Sequence, residues 1–337
     1  MDAMLSVPLE NGDALCHLCR HRCRIKQGER GICGVRENVS GHLKSLVYDK
    51  VIATHIDPIE KKPIFHVAPG SASYSIATVG CNFRCRFCQN SDIAQMPTDR
   101  KGLIMGDPIS PETIVAKALK AGCKTIAYTY TEPTVYFELA RDTALLAKQK
   151  GLRNIFVTNG YMTPEAIESA ASFLDAANVD LKAFSDDFYR NYCGAKRSGV
   201  MDTLKRLKEK KIWVEITTLV IPGLNDDEEE ISGLARFIAT ELGPETPWHV
   251  SRFHPAYRLL DRPVTPVQTL SMIRKSGLHE GLFHVYTGNV PGDPGENTYC
   301  HACKKMIIRR EGYGIMEYQI QNGCCAYCGT RLSGLDL

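Results

Sequence analysis

Twelve of the 14 cysteines in this chain fall into three tight groups, and any fold it adopts must serve all three. The groups are Cys16/Cys19/Cys23/Cys33, Cys81/Cys85/Cys88 and Cys300/Cys303/Cys324/Cys325/Cys328. Disulfide frameworks belong mainly to short secreted chains. This chain has 337 residues and opens Met1-Asp2-Ala3-Met4, without the basic and apolar segments of a signal peptide. The expected location is therefore cytoplasmic, where close thiols read as metal ligands. The net charge is +3, from 41 Lys+Arg against 38 Asp+Glu, which gives no argument for nucleic acid as a partner. No apolar run approaches the ~20 residues a membrane-spanning helix needs, so no membrane partner is expected either.

Between the first and last groups, strand-like and helix-like runs alternate. Strands are expected at 74–79, 125–129, 153–158, 178–181, 212–221, 248–253 and 282–286. Helices are expected at 111–121, 135–150, 164–174, 200–211, 227–242 and 266–276, the first capped by Ser110 with Pro111 at its first position. Repeated βα units imply a parallel sheet with right-handed crossovers, so the fold class is α/β. The number of units points to a full or partial barrel, here taken as a partial (β/α)6-type barrel. Glu132, Asn159, Lys182, Asn225 and His254 each lie at or just past the end of an expected strand. In barrels that rim carries the chemistry. The expected division is a cysteine-rich region with lead-in strands over 1–70, the barrel over 71–290 and a metal-binding module over 291–337.

Directly after the first barrel strand stands Gly80-Cys81-Asn82-Phe83-Arg84-Cys85-Arg86-Phe87-Cys88-Gln89-Asn90, a C-x3-C-x2-C loop. Three thiolates can hold three corners of a four-iron cluster, leaving one iron open to a substrate. A zinc knuckle would want a fourth ligand nearby, and no Cys or His occurs between Cys88 and Cys123.

This spacing, with Phe87 before its third cysteine, resembles the radical S-adenosylmethionine (SAM) superfamily. The resemblance implies a [4Fe-4S] cluster on Cys81, Cys85 and Cys88 that chelates SAM and cleaves it reductively to a 5′-deoxyadenosyl radical. It implies that Phe87 lies beside the adenine. It also assigns SAM contacts to Asn90, Thr131, Glu132, Asn159, Asp180, Lys182 and His254. Tyr130-Thr131-Glu132-Pro133 occupies the place where the family often has Gly-Gly-Glu, and the segment ending at Asn225 looks like the one near the ribose and adenine. The Cys-Gln-Asn, Glu-Pro, Thr-Asn-Gly, Asp-Leu-Lys and late-His series is similar to pyruvate formate-lyase activating enzyme. The acidic residue those enzymes carry before Thr-Asn-Gly is Val157 here.

Further stretches resemble the radical SAM enzymes of the AmmeMemoRadiSam system: Cys-His-Leu-Cys-Arg-His-Arg-Cys at 16–23, Gly31 to Arg36, Asp57-Pro58-Ile59-Glu60-Lys61-Lys62-Pro63, Trp248 to Pro255, and Tyr286-Thr287-Gly288-Asn289. That resemblance implies association with AMMECR-type and Memo-type proteins and an electron donor such as flavodoxin or ferredoxin. The leading expectation is radical modification of a protein or peptide. Glycyl-radical enzyme activation is the second, and a non-enzymatic metal-binding interaction module the third.

Cys300-x2-Cys303 and Cys325-x2-Cys328 have the form of a zinc ribbon, with a hairpin expected between them over 306–311 and 314–320. The C-x2-C register favours Cys325 over Cys324, and tetrahedral S4 also suits rubredoxin-like iron. Cys16, Cys19, Cys23 and Cys33 could hold zinc or a second iron–sulfur cluster. Zinc is favoured on the ground that residues 1–40 lack apolar side chains to shield a redox centre. Cys123 and Cys193 are unpaired, and Cys123 is expected to be a small buried hydrophobe.

Overall fold

Six βα units follow one another and a seventh parallel strand ends the series. The computed structural model describes residues 1–337. An edge strand β1 (Ala53–Pro58) runs antiparallel to β2 (Ala72–Ala77), and the parallel strands continue with β3 (Thr125–Tyr128), β4 (Arg153–Thr158), β5 (Ala176–Asp180), β6 (Trp213–Val220), β7 (Trp248–Arg252) and β8 (Val285–Gly288). Their order in the sheet is their order in the chain, and β8 does not pair with β1. A strand order that never reverses, joined by right-handed crossovers, puts every helix on one face and lets the sheet curl into an open barrel. The expected α/β partial barrel is the observed fold.

The helices begin where the sequence supplies caps. Ser110 accepts from the Thr113 N–H to start α1 (Pro111–Lys120), and α2 (Phe137–Gln149) follows β3. Thr163 accepts from the Ala166 N–H to start α3 (Pro164–Ala170). After α4 (Arg197–Glu209), Asp227 accepts from Glu229 and Glu230 to start α5 (Glu228–Phe237). Each cap satisfies donors the first helical turn leaves free. The expected helix over 227–242 is α5 followed by a wider π turn, Ile238–Leu242. The last helix, α6, is Val267–His279.

The end of the barrel at which the strands start is plugged. Glu215, fully buried near the start of β6, accepts from the Phe65 and His66 N–H groups and from Trp213 Nε1, and lies 2.7 Å from His249 Nε2. Burial alone would raise its pKa, but His249 and the backbone donors hold it below the usual range. The segment ahead of β2 thus closes the floor and leaves the opposite rim free.

Residues 43–55, whose apolar residues alone read as one strand, are broken into His42–Ser45, Lys50–Val51 and β1, because a turn closes at Val47 and Lys50. The region before β1 does not stand apart from the barrel. Ala14, Cys16, Leu18, Ile25 and Val35 belong to the same hydrophobic core as the βα units. Arg36 and Glu138 form an ion pair that is 1% exposed on both sides and ties this region to α2. The carboxy-terminal module has a separate small core of Cys300, Ile307, Ile308, Ile320, Cys325 and Leu332. Its hairpin pairs Met306–Glu311 with Gly314–Tyr318, as expected. The module docks on the floor: Arg310 stands 4.1 Å over the Phe65 ring, and Arg153 grips the Asp336 carboxylate with two bonds of 2.7 Å.

Candidate functional site

The C-x3-C-x2-C loop leaves β2 at the open rim through Gly80. That residue has φ +101°, and a Cβ there would meet Val35 Cγ1 at 2.5 Å and the Cys33 carbonyl at 3.1 Å. Glycine is therefore required by conformation and by space. The loop is clamped from one side by backbone bonds from Arg84 N–H to the Cys193 carbonyl and from Arg86 N–H to the Tyr192 carbonyl, 2.8 and 2.9 Å. From the other, Gln95 Nε2 donates to the Phe83 carbonyl at 3.0 Å.

The sulfurs meet N–H donors. The Phe83 N–H lies 3.4 Å from Cys81 Sγ and Asn159 Nδ2 lies 3.8 Å from it. Asn159 also donates to Asn82 Oδ1 at 2.7 Å, while Asn82 Nδ2 is buried with no partner. Burial, with Glu132 second, pushes the Cys81 thiol well up, and burial raises Cys88 to about 11. Thiols held neutral in this way give up their protons when a metal binds. Three thiols, donors aimed at sulfur and an unpaired buried amide suit an iron–sulfur cluster held by this loop.

Around the loop the strand ends deliver the polar residues singled out in the sequence. Glu132 is buried and saturated: it accepts from the Thr134 N–H and hydroxyl, the Thr158 hydroxyl and the Asn159 N–H, at 3.0, 2.5, 2.6 and 2.8 Å. It holds the Thr158-Asn159-Gly160 turn in place. Asn90 Nδ2 donates to the Tyr130 carbonyl at 2.7 Å, and the Thr131 hydroxyl to the Thr78 carbonyl at 2.8 Å. Lys182 Nζ lies 2.9 Å from Asp180 and 5.7 Å from the centre of the Phe87 ring. Burial works against the Lys182 charge, but the Asp180 carboxylate beside it outweighs that and the pKa is raised well above the usual value. Asn225 locks two loops by donating to the Lys182 and Leu219 carbonyls and accepting from the Ile221 N–H. His254 is exposed at the rim and makes no side-chain hydrogen bond.

Tyr130 stands where the resembling family often has glycine, and its φ is +63°. A left-handed tyrosine costs on the order of 1–3 kcal/mol and persists only when its surroundings fix it. Here its hydroxyl bonds the Asp57 carboxylate, and Lys62 Nζ lies 4.4 Å over its ring. Asp57 also accepts from Lys61, Lys62 and Ser75 at 2.8, 2.5 and 2.9 Å. Lys62 is 2% exposed, and burial lowers its pKa despite Asp57. The sequence marked this Asp-Pro-Ile-Glu-Lys-Lys-Pro stretch without giving it a place. Its signal was a cluster of charges in a short segment ahead of an apolar strand. Cys193, also unassigned, is fully buried, and its carbonyl accepts from the Arg84 N–H of the loop.

The four carboxy-terminal thiols Cys300, Cys303, Cys325 and Cys328 all lie within 4.8 Å of one another. Cys300 and Cys328 are 3.7 Å apart, Cys303 and Cys325 3.8 Å. A tetrahedral ion bound at about 2.3 Å separates its sulfurs by about that much.

A partial barrel whose open rim presents three thiols on one loop defines a metalloprotein with its site at the strand ends. Residues 75–235 match the family model of the Radical SAM superfamily. An uncharacterized protein of Methanocaldococcus jannaschii is 44% identical over 333 residues, 98% of each chain. The pyruvate formate-lyase 1-activating enzyme of Escherichia coli is 24% identical over 160 residues, 47% of this chain and 65% of that enzyme. Among solved structures, Streptococcus suis SuiB bound to precursor peptide SuiA gives a TM-score of 0.52 at 13% identity over 68% of this chain and 51% of that one. A radical SAM methyltransferase from Sphaerobacter thermophilus gives 0.50 at 16% identity over 68% and 70%. Both likenesses are of fold. The chain carries a Radical SAM domain over residues 75–235, and that family implies a [4Fe-4S] cluster and SAM. No helix is long and apolar enough to cross a membrane.

Proposed function

We propose that this protein is a radical SAM enzyme that cleaves SAM reductively at a [4Fe-4S] cluster held by Cys81, Cys85 and Cys88, and uses the resulting radical on a protein or peptide. The observation that carries the reading is the three-thiol loop at the open rim, ringed by Asn159, Lys182, Asp180 and Phe87. When bound, the cluster supplies one electron to the S–C bond of SAM. The chain's own part is to hold and orient. Phe87 offers an aromatic face. The Asp180–Lys182 pair offers a carboxylate and an ammonium beside it. Glu132 fixes the turn that carries Asn159. Asn90, Thr131 and His254 complete the proposed set of contacts.

A polypeptide substrate is supported by the similarity to pyruvate formate-lyase activating enzymes, whose name makes another enzyme their target. The same similarity supports glycyl-radical activation as a second reading. The stretches matching the AmmeMemoRadiSam system, spread over residues 16–289, support a place in it, with AMMECR-type and Memo-type proteins as the first candidate partners. The spacing of the four carboxy-terminal thiols supports bound zinc there.

The test is anaerobic. The protein is reconstituted with iron and sulfide, given dithionite and SAM, and 5′-deoxyadenosine is quantified beside the Cys88→Ala variant. Product from the wild type alone is expected. No product and no SAM-dependent change in the cluster's electron paramagnetic resonance spectrum would overturn the reading. A glycyl radical on an added partner would select the second reading over other peptide chemistry.

A further inference from the structure

Cys16, Cys19, Cys23 and Cys33 come from three separate stretches of the amino-terminal region and line one small crevice. Leu18, Ile25, Ile32 and Val135 close it. Val135 comes from the barrel, just ahead of α2. Leu18, Ile25 and Ile32 lie within residues 1–40 themselves, and with Val135 they shield the thiols, so the expectation that this stretch lacks apolar cover is corrected and the ground for favouring zinc is removed.

The spacing of the thiols separates the two chemistries. A single tetrahedral ion at about 2.3 Å draws its four sulfurs to within about 3.8 Å of one another. In this chain only the carboxy-terminal four gather their ligand atoms within 4.8 Å. The amino-terminal four share a crevice without closing on one point, and in this they are like Cys81, Cys85 and Cys88 of the radical SAM loop. Iron and sulfide between thiols hold them farther apart than one ion does. Arg36, 1% exposed, places Nη1 3.7 Å from Cys16 Sγ, an N–H bond to sulfur of the kind that tunes a cluster.

The crevice also adjoins the central loop. His21 Nε2 lies 2.8 Å from the Asn82 carbonyl, Arg84 Nη2 bonds the Ile32 carbonyl, and the Cys33 carbonyl and Val35 pack on Gly80. We propose that Cys16, Cys19, Cys23 and Cys33 bind a second [4Fe-4S] cluster, fully ligated by protein, against the loop that carries the first. Four thiolates leave no open iron, so this site takes neither SAM nor substrate and is suited to holding an electron. The inference does not depend on SAM cleavage, and its test reads metal content.

The experiment uses the full chain carrying Cys81→Ala, Cys85→Ala and Cys88→Ala, reconstituted anaerobically, with iron, sulfide and zinc counted per chain and the iron examined by Mössbauer spectroscopy. About four irons and about four sulfides are expected to remain, in one cubane-type signal, with about one zinc. Adding Cys19→Ser and Cys33→Ser is expected to remove the iron and leave the zinc. About two zincs without iron, a lone iron without sulfide, or iron that survives the added serines would overturn the proposal. If the triple variant does not fold, the wild type decides: about eight irons support the second cluster, and about four irons with about two zincs overturn it.

Discussion

Asp180 and Lys182, two residues apart at the end of β5, form an ion pair of 2.9 Å that keeps the ammonium beside the Phe87 ring and the Cys85 thiol. The pair is partly open, with Asp180 34% exposed, so its worth to folding is small, about 1 kcal/mol or less. Lys182→Met is therefore expected to leave the urea midpoint near that of the wild type while lowering 5′-deoxyadenosine formation about tenfold or more, about 1.4 kcal/mol of barrel-rim chemistry. Unchanged turnover in Lys182→Met would remove Lys182 from the proposed site.

Glu132 accepts four hydrogen bonds while buried. Glu132→Gln keeps the shape but turns an NH₂ toward donors, leaving at least one unsatisfied, at a cost of about 1–3 kcal/mol. The variant is expected to lose stability in urea by that amount and to retain less central iron after desalting. A variant as stable as the wild type would show that the carboxylate does not hold the Thr158–Gly160 turn.

The buried Arg36–Glu138 pair joins the amino-terminal cysteines to α2, and Met4 bonds both partners through its backbone. Removing one partner leaves a buried charge, so Arg36→Met or Glu138→Gln is expected to cost about 3–5 kcal/mol. Replacing both by apolar residues is expected to cost less than the sum, because no charge is then stranded. Additive losses in that double-mutant cycle would contradict the pairing.

The carboxy-terminal module has a core of only six buried residues, so a metal held by Cys300, Cys303, Cys325 and Cys328, as proposed, would supply much of its folding free energy. Chelation, or Cys303→Ser, is expected to expose residues after 297 to limited proteolysis while far-ultraviolet circular dichroism keeps the barrel's signal. A module that resists protease with zinc removed would mean its sulfurs are structural without metal.

His66 is buried, bonded to the Ser333 carbonyl through Nδ1 and to the Tyr286 hydroxyl through Nε2. Burial holds its pKa below the ordinary 6.5. The unfolded chain then binds the proton more readily than the folded one. The stability that depends on neutral His66 is complete above 6.5 and is lost as pH falls below it, by about 1.4 kcal/mol per pH unit until the folded form also protonates. Thermal melts between pH 7.5 and 5 are expected to fall more steeply for the wild type than for His66→Gln, and parallel curves would refute this.

The barrel was legible because its signals are local. Period, caps and strand-end polar residues such as Asn159 and Lys182 depend on neighbours within a few positions. The grouping of Cys81, Cys85 and Cys88 was legible for the same reason, since they share one loop. What was not legible depends on distant partners. Glu132, expected as a SAM contact, gives no sign in the sequence of the bonds it accepts from Thr158 and Asn159, which the next strand brings to it. Lys62 reads as a surface lysine until Tyr130 and Asp57 enclose it. The amino-terminal region reads as poorly shielded until the fold gathers Leu18, Ile25 and Ile32 over its cysteines and adds Val135 from the barrel.

By itself, then, the sequence determined the α/β order, the three-thiol loop and the grouping of thiols, because hydrophobic period and ligand spacing are properties of the chain. Only the tertiary structure decided which thiols close on a single point and which do not. That distinction rests on sulfur–sulfur distances between segments that spacing along the chain does not set: Cys300 and Cys328 meet at 3.7 Å, while Cys16 and Cys33 face a crevice whose far wall belongs to the barrel.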